Sequence, residues 1–310
     1  MDSPTLYFLA GTTASGKSDL AMAWAREHNA AILSCDAFAV YRGMDIGTAK
    51  PSAGERAAVP HFGIDLVPPQ TPFSVGAYLE EVKRVLDRGY GTELPLLVVG
   101  GSGFYLKSFF APVTDTLAIP DTLRREVVEL EEREGLAGLL AALDQYNPEG
   151  TPELDRNNPR RVANALLRCR ASGQSLIKLQ AAFAAQSPPF PEYRKRVCWI
   201  RRQRDDLDNR IAARTRAMID AGLAEEVRRL RDDGIEQNPS AANAIGYRET
   251  LAYLAGELEE SAWEEAITTH TRQLARKQER WLTHQIPVER EIWLSPRQTL
   301  DPSALFPNPV

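Results

Sequence analysis

Residues 11–18 read Gly11-Thr12-Thr13-Ala14-Ser15-Gly16-Lys17-Ser18, which fits the pattern G-x-x-x-x-G-K-[ST]. An apolar stretch typical of a strand, residues 5–10, precedes this motif, and a helical pattern of apolar residues follows it. A strand, the motif and a helix in this order predict a loop that binds phosphate. Its glycines let backbone N–H groups converge on an anion at the helix N-terminus, while Lys17 adds a full positive charge. The Ser18 hydroxyl is the expected protein ligand of Mg²⁺.

The composition of the chain is that of a globular protein, with 43% hydrophobic and 25% charged residues among 310. No apolar run approaches the roughly 20 residues that a membrane span needs. The first strand follows Met1 so closely that we expect no signal peptide. Cys35, Cys169 and Cys198 form no C-x-x-C pair, which argues against a zinc site or a disulfide framework and favours the cytoplasm. The net charge of −5 means that any contact with nucleic acid must depend on local basic patches.

Further strand-like runs occur at 30–34, 62–66, 95–99, 195–200 and 291–294, and helical patterns separate them. This alternation predicts an α/β fold, a P-loop-like parallel sheet flanked by helices. Residues 121 to about 191 contain helical patterns and no convincing strand, so we expect an α/β core at 1–118 and 196–310 with a helical insertion at 119–195. The proline-rich end from residue 302 is expected to be loose.

Asp36 follows the second strand, where open parallel sheets bind ligands at their carboxyl edge. Its alternative is an ordinary turn or helix-cap residue. The glycine-rich turn 100–103 enters the same crevice, but the carboxylate that holds Mg²⁺ in ATP-hydrolysing proteins is missing there. Arg210 and Arg214 are four residues apart and share one helix face, which suits either an anion site or ordinary surface charge.

A positive stripe lies on the last long helix of an otherwise acidic chain. It consists of Arg272, Arg276, Lys277 and Arg280, within about two turns. A stripe of this kind is either a surface that meets phosphates or a solvated helix face.

Six separated stretches together resemble the bacterial tRNA dimethylallyltransferases over nearly the whole chain. They are the phosphate loop, Tyr41–Pro51 with its Asp-Ile-Gly-Thr-Ala-Lys-Pro ending, Val99–Leu106, Asn158–Val162, Ile245–Arg248 and Arg272–Gln278. The loop ending Asp-Ile-Gly-Thr-Ala-Lys-Pro is the most specific of them. The resemblance implies transfer of a dimethylallyl group from dimethylallyl diphosphate to N6 of the adenosine 3′-adjacent to the anticodon of tRNA.

The resemblance also assigns roles to residues. Asp36 would accept the N6 proton, Ser102 would hydrogen-bond substrate, and Arg210 or Arg214 would stabilise the leaving diphosphate in the phosphate loop with Mg²⁺. The insertion domain would grip the anticodon stem-loop, and the adenine would flip out of its stack. The residues implied to contact tRNA are Asp36, Ala37, Phe38, Ala39, Ser102, Arg124, Arg160, Arg161, Asn164, Asn243, Gly246, Tyr247, Arg248, Arg272, Arg276, Lys277 and Arg280. We further expect a cytoplasmic monomer without membrane contact.

One departure from the family pattern follows Asp36. Family members usually carry Ser and Gln at the positions of Ala37 and Ala39, so two polar side chains are lost here. We expect this change to affect how neighbouring bases are distinguished and to leave the chemistry intact.

Three alternatives remain at this stage. A small-molecule or nucleotide kinase also pairs a phosphate loop with an Asp after the second strand, and it would bind ATP. An enzyme that prenylates free AMP would not need the helical insertion to grip RNA. A non-catalytic RNA-binding module would have no reason to retain Lys17, Ser18 and Asp36 together.

Overall fold

A computed structural model describes residues 3–113, 117–298 and 300–307. The chain forms two compact units, Met1–Phe110 with Pro189–Val310, and Ala111–Pro188. Both boundaries lie a few residues earlier than the sequence predicts. The Phe110 ring packs on Phe8 of the sheet, and the Pro189 carbonyl accepts a hydrogen bond from Lys195 Nζ, so these residues belong with the core.

The strands of the first unit form one parallel sheet of six strands within the described residues, in the order β3-β2-β4-β1-β5-β6. They are β1 Thr5–Gly11, β2 Ala31–Cys35, β3 His61–Phe62, β4 Leu96–Gly100, β5 Arg194–Arg202 and β6 Arg290–Leu294. Every residue of the central strand β1 is buried, as expected for a parallel sheet covered on both faces. The predicted fold class is confirmed.

The register of the sheet brings three strand ends together. Gly100 at the end of β4 pairs with Ala10 of β1 on one side and with Cys35 of β2 on the other. The phosphate loop, Asp36 and the Gly100–Gly103 turn therefore leave the same carboxyl edge side by side.

The helices, in chain order, are α1 Lys17–Glu27, α2 Ala53–Ala58, α3 Val75–Asp87, α4 Gly103–Lys107, α5 Asp121–Asp144, α6 Pro159–Ser172, α7 Leu176–Ala184, α8 Arg204–Asp220, α9 Leu223–Asp232, α10 Pro239–Ala242, α11 Tyr247–Leu254 and α12 Glu260–Gln285. In the first unit, α9, α11 and α12 enclose a second apolar core with the loop from Val40 to Met44. The second unit contains α5, α6 and α7, and α5 breaks at Gly135, where φ is 61°.

Two local predictions are wrong. The third strand spans only His61–Phe62 instead of 62–66, because Gly63 and Asp65 both have positive φ angles that end the pairing. The end of the chain is not loose as far as it is described: Leu305 and Phe306 are buried in the core, and Phe306 packs against Tyr7 and Trp24. Residues 308–310 lie outside the described residues.

Candidate active site

The phosphate loop has the predicted strand–loop–helix context. Gly11 ends β1, and Gly16 has a φ of 90° immediately before Lys17 opens α1. Only glycine adopts this conformation without strain. A Cβ on Gly11 would lie 2.6 Å from Ser15 Oγ, so close packing also requires a glycine there. The loop therefore presents the N-terminus of an eleven-residue helix to the cavity beside it.

Two arginines hold the backbone carbonyls of this loop. Arg202 Nε, at the end of β5, donates to the Ser15 carbonyl at 2.8 Å, and Arg210 Nε on α8 donates to the Ala14 carbonyl at 2.8 Å. Because peptide C=O and N–H groups point in opposite directions, a fixed Ser15 carbonyl leaves the next N–H, that of Gly16, directed away from Arg202. Arg210 is one of the predicted site residues. Arg202 was missed, because nothing near it in the sequence marks it as a neighbour of the loop.

Lys17 and Arg214 form a pair of half-buried cations next to Asp36. Burial and, to a lesser extent, the charge of Arg214 lower the pKa of Lys17 to about 8, and Asp36 opposes both effects. Burial also lowers the pKa of Arg214, again opposed by Asp36. One carboxylate does not offset two desolvated cations, so the electrostatics favour an anionic ligand here.

The sequence offered two roles for Asp36, a turn residue and a carboxylate that faces a ligand, and the structure shows features of both. Its Oδ1 accepts hydrogen bonds from the backbone N–H groups of Phe38 at 2.9 Å and Ala39 at 3.4 Å, which forms a turn. Its Oδ2 accepts no hydrogen bond within the described part of the chain. The same residue lines the cavity that the phosphate loop faces. A fixed carboxylate with one oxygen available can therefore accept a proton from a bound group.

Ser102 lies beside this turn. Its Oγ accepts a hydrogen bond from the Ala37 N–H at 3.2 Å, so the hydroxyl hydrogen remains available to donate. Gly100 and Gly101, and not Ser102, are among the residues that line the cavity. Ser102 thus contacts the Asp36 turn through the Ala37 N–H.

A cavity of about 880 Å³ joins these groups within the first unit. Of the predicted site residues, it is lined by Thr13, Ala14, Gly16, Lys17, Ser18, Asp36, Phe38, Ala39, Arg210, Arg214, Asn243, Gly246 and Tyr247. A cavity of this size accommodates a diphosphate together with a small organic group.

Several predicted residues lie elsewhere in the first unit. Arg248 pairs with the buried Glu249, and Arg272 donates to the Asp208 carbonyl and lies 3.8 Å from its carboxylate. Arg276, Lys277 and Arg280 are exposed on α12. The cationic stripe is therefore three exposed cations and one that is engaged by α8.

Other groups of the site were not predicted as site residues. Gln278 Oε1 accepts from the Thr13 N–H at 2.9 Å. Lys50, whose side chain is 1% exposed, pairs with Asp45 and Asp65 and so fixes the loop that ends at Pro51. Both belong to stretches that carry the family resemblance, which is the one signal that singles them out.

The second unit has a groove of its own, of about 550 Å³. Arg124, Arg160 and Asn164 line it together with apolar residues of α5 and α6 and with Glu131. Arg161 is exposed one position after Arg160. Four residues predicted to contact RNA thus lie on or beside the α5–α6 face.

No group of three or more His, Cys, Asp or Glu side chains that could hold a metal occurs within residues 3–113, 117–298 and 300–307. Ser18 is exposed in the first turn of α1 and lines the cavity. This arrangement fits Mg²⁺ as it is held by phosphate loops, with one protein hydroxyl and the remaining ligands from phosphate and water.

Comparison with known proteins identifies the family. The sequence profile described as IPP transferase matches residues 39–285, and the one described as isopentenyl transferase matches residues 4–59. The chain belongs to the IPP transferase family. The tRNA dimethylallyltransferase of Opitutus terrae is 46% identical over 94% of each chain, and that of Bdellovibrio bacteriovorus is 36% identical over 88% of each. The family prediction made from the sequence is confirmed, and the family members named here are prenyltransferases.

Solved structures of this family have the same fold. A tRNA delta(2)-isopentenylpyrophosphate transferase from Staphylococcus epidermidis is 28% identical with a TM-score of 0.61, covering 94% of this chain and 92% of that one. A eukaryotic dimethylallyltransferase acting on tRNA has a TM-score of 0.79 over 93% of this chain and 74% of its own. At 23% identity, the second likeness shows the fold alone. In the described residues, we find no helix long and apolar enough to cross a membrane.

Proposed function

We propose that this enzyme transfers a dimethylallyl group from dimethylallyl diphosphate to N6 of the adenosine 3′-adjacent to the anticodon in tRNA, and releases diphosphate. The observation that carries this proposal is one cavity with a phosphate loop at one end and the free oxygen of Asp36 beside it. Family membership and the names of the relatives support the same reaction.

The cations of the site can stabilise the diphosphate leaving group. As the bond between the prenyl C1 and the diphosphate oxygen breaks, negative charge grows on the diphosphate, and Lys17, Arg210 and Arg214 can stabilise it. The N-terminus of α1 adds its partial positive charge. When bound at the Ser18 hydroxyl, Mg²⁺ supplies further charge neutralisation.

Asp36 can act on the acceptor, the N6 amine of the adenosine. As N6 bonds to C1, it must lose a proton, and a carboxylate held by Phe38 and Ala39 N–H groups is fixed to receive it. The Asp36 turn is in turn held by Ser102. The carboxylate would thereby both orient the amine and accept its proton.

Two surfaces support tRNA as the acceptor. In the first unit, Arg276, Lys277 and Arg280 are exposed on α12. In the second unit, Arg124 and Arg160 line the α5–α6 groove. Arginine and lysine on such surfaces are the usual partners of RNA phosphates. We further propose that the enzyme is a monomer and that it is cytoplasmic, since the three cysteines are all free and buried, as in proteins of a reducing compartment.

The test is an assay with labelled dimethylallyl diphosphate and tRNA, run beside AMP and ATP. We expect label in tRNA alone.

Replacement of Asp36 by Asn keeps the size and removes the proton acceptor, so kcat should fall by about 10²–10⁴ with tRNA binding retained. The control is Asp220→Asn, an exposed residue at the end of α8, which should leave kcat unchanged. Phosphoryl transfer from ATP, or label in AMP, would favour the alternatives; a normal kcat for Asp36→Asn would remove Asp36 from the mechanism.

A further inference from the structure

Glu226 is a buried carboxylate that belongs neither to the phosphate loop nor to the Asp36 turn. It lies on α9 among the apolar residues Leu223, Val227 and Leu230, and only 2% of it is exposed. No Lys, Arg or His of the described residues forms an ion pair with it. A buried carboxylate without a cationic partner is costly unless hydrogen-bond donors surround it.

Four donors surround Glu226. Its Oε2 accepts from the backbone N–H groups of Asp45 at 3.0 Å and Ile46 at 2.7 Å. Its Oε1 accepts from the Gly47 N–H at 3.2 Å and from the Tyr247 hydroxyl at 2.7 Å. Burial and the nearby Glu226 charge raise the pKa of Tyr247 well above its usual value, so the hydroxyl stays protonated and donates.

Two of these donors, Gly47 and Tyr247, lie in two different walls of the cavity. Gly47 begins the stretch up to Pro51 that lines one wall, and Tyr247 follows the lining residues from Asn243 to Gly246 on another. The walls are in contact: a Cβ on Gly47 would lie 2.5 Å from Cε2 of the Tyr247 ring. The Glu226 carboxylate therefore holds the two walls in a fixed position relative to each other.

We propose that Glu226 is a positioning residue for the acceptor side of the cavity, acting through Tyr247 and the Asp45–Gly47 turn. This inference rests on the proposed function. Lys17, Arg210 and Arg214 form no hydrogen bond with Glu226 in the described part of the chain, so the diphosphate end is independent of it. Loss of the carboxylate should disturb the binding of the RNA nucleotide and leave diphosphate binding intact.

The test variant is Glu226→Gln. The amide keeps the volume but has only one acceptor oxygen, so its NH₂ group must face either the Asp45 and Ile46 N–H groups or the Gly47 N–H group, and one of the two donor sets loses its acceptor. Because a buried donor left without its acceptor typically weakens an equilibrium by about 10- to 100-fold, we expect the Kd of an anticodon stem-loop RNA to rise by about that factor. The Kd of inorganic pyrophosphate should stay within about twofold of wild type.

Two further variants separate positioning from general stability. Glu225→Gln changes the neighbouring, exposed carboxylate, which pairs with Arg228, and should alter neither Kd. Tyr247→Phe keeps the ring against Gly47 and removes one donor, so it should weaken RNA binding less than Glu226→Gln. The double variant should be no weaker than Glu226→Gln alone, because both changes break the same contact. If Glu226→Gln does not fold, the Kd values of Tyr247→Phe for the stem-loop RNA and for pyrophosphate test the proposal instead.

Weaker RNA binding with unchanged pyrophosphate binding would support the proposal. Unchanged RNA binding, or equal losses of RNA and pyrophosphate binding together with a lower Tm, would overturn it. Because both Kd values are measured without turnover, these outcomes are distinct from a failure of the proposed function, in which the wild type prenylates no tRNA.

Discussion

Gln278 Oε1 accepts a hydrogen bond from the backbone N–H of Thr13 at 2.9 Å, across 265 positions of the chain. The same side chain packs against the turn after β4, where a Cβ on Gly101 would lie 2.9 Å from its Nε2. The last long helix thus touches the loops that follow β1 and β4. The helix that carries the exposed cations also fixes the phosphate loop.

Replacement of Gln278 by Leu should weaken donor binding. It leaves the Thr13 N–H without its acceptor, a loss of about 1–3 kcal/mol, which corresponds to a rise of roughly 5- to 150-fold in the KM for dimethylallyl diphosphate. The matched control is Gln285→Leu, on the same helix, whose side chain binds Lys107 Nζ instead. An unchanged KM and pyrophosphate Kd for Gln278→Leu would show that the Thr13 contact does not position the loop.

The local parts of this site could be predicted from sequence, and the contacts between distant elements could not. The phosphate loop, Asp36 and the Arg210–Arg214 face follow from spacing and from strand ends, which are local properties. Arg202 and Gln278 reach the loop only after folding brings β5 and α12 beside it. No periodicity marks such contacts, so sequence reasoning passed over both.

The structure of the described end of the chain was also not predictable from local sequence. Its prolines predicted a loose segment, yet Phe306 is 2% exposed and packs on Tyr7 and Trp24. Phe306→Ala should therefore lower the free energy of unfolding by about 3–5 kcal/mol. The control is Phe104→Ala, at a ring that is 48% exposed, which should change it by about 0.5 kcal/mol or less. Denaturant unfolding of both variants makes the comparison; equal small losses would mean that the end does not stabilise the core.

Lys17 predicts a pH dependence of diphosphate binding. Its pKa is about 8, so it is charged below that pH and becomes neutral above it. A neutral amine does not attract the anion, so affinity should fall as pH rises through 8, roughly tenfold between pH 7 and pH 9. Lys17→Arg carries a charge that does not titrate in this range and serves as the control for titration of pyrophosphate itself. Parallel pH profiles of wild type and Lys17→Arg would contradict the assignment.

The exposed part of the α12 stripe predicts a salt dependence of tRNA binding. If Arg276, Lys277 and Arg280 each meet a phosphate, each Gln replacement should flatten the slope of log K against log salt by roughly 0.7–0.9. The loss should be similar for different tRNAs, because phosphate contacts position the RNA without reading its sequence.

Arg272, the one residue of the stripe that pairs with α8, serves as a comparison for the three exposed cations. It donates to the Asp208 carbonyl and lies beside the Asp208 carboxylate, so Arg272→Gln should change the salt slope less than Arg280→Gln. Arg228→Gln removes a cation that pairs with Glu225 on α9 and should leave the slope unchanged. Equal slopes for all of these variants and the wild type would make the stripe a solvated helix face. A larger effect of Arg272 than of Arg280 would mean that α8 releases this arginine to the RNA.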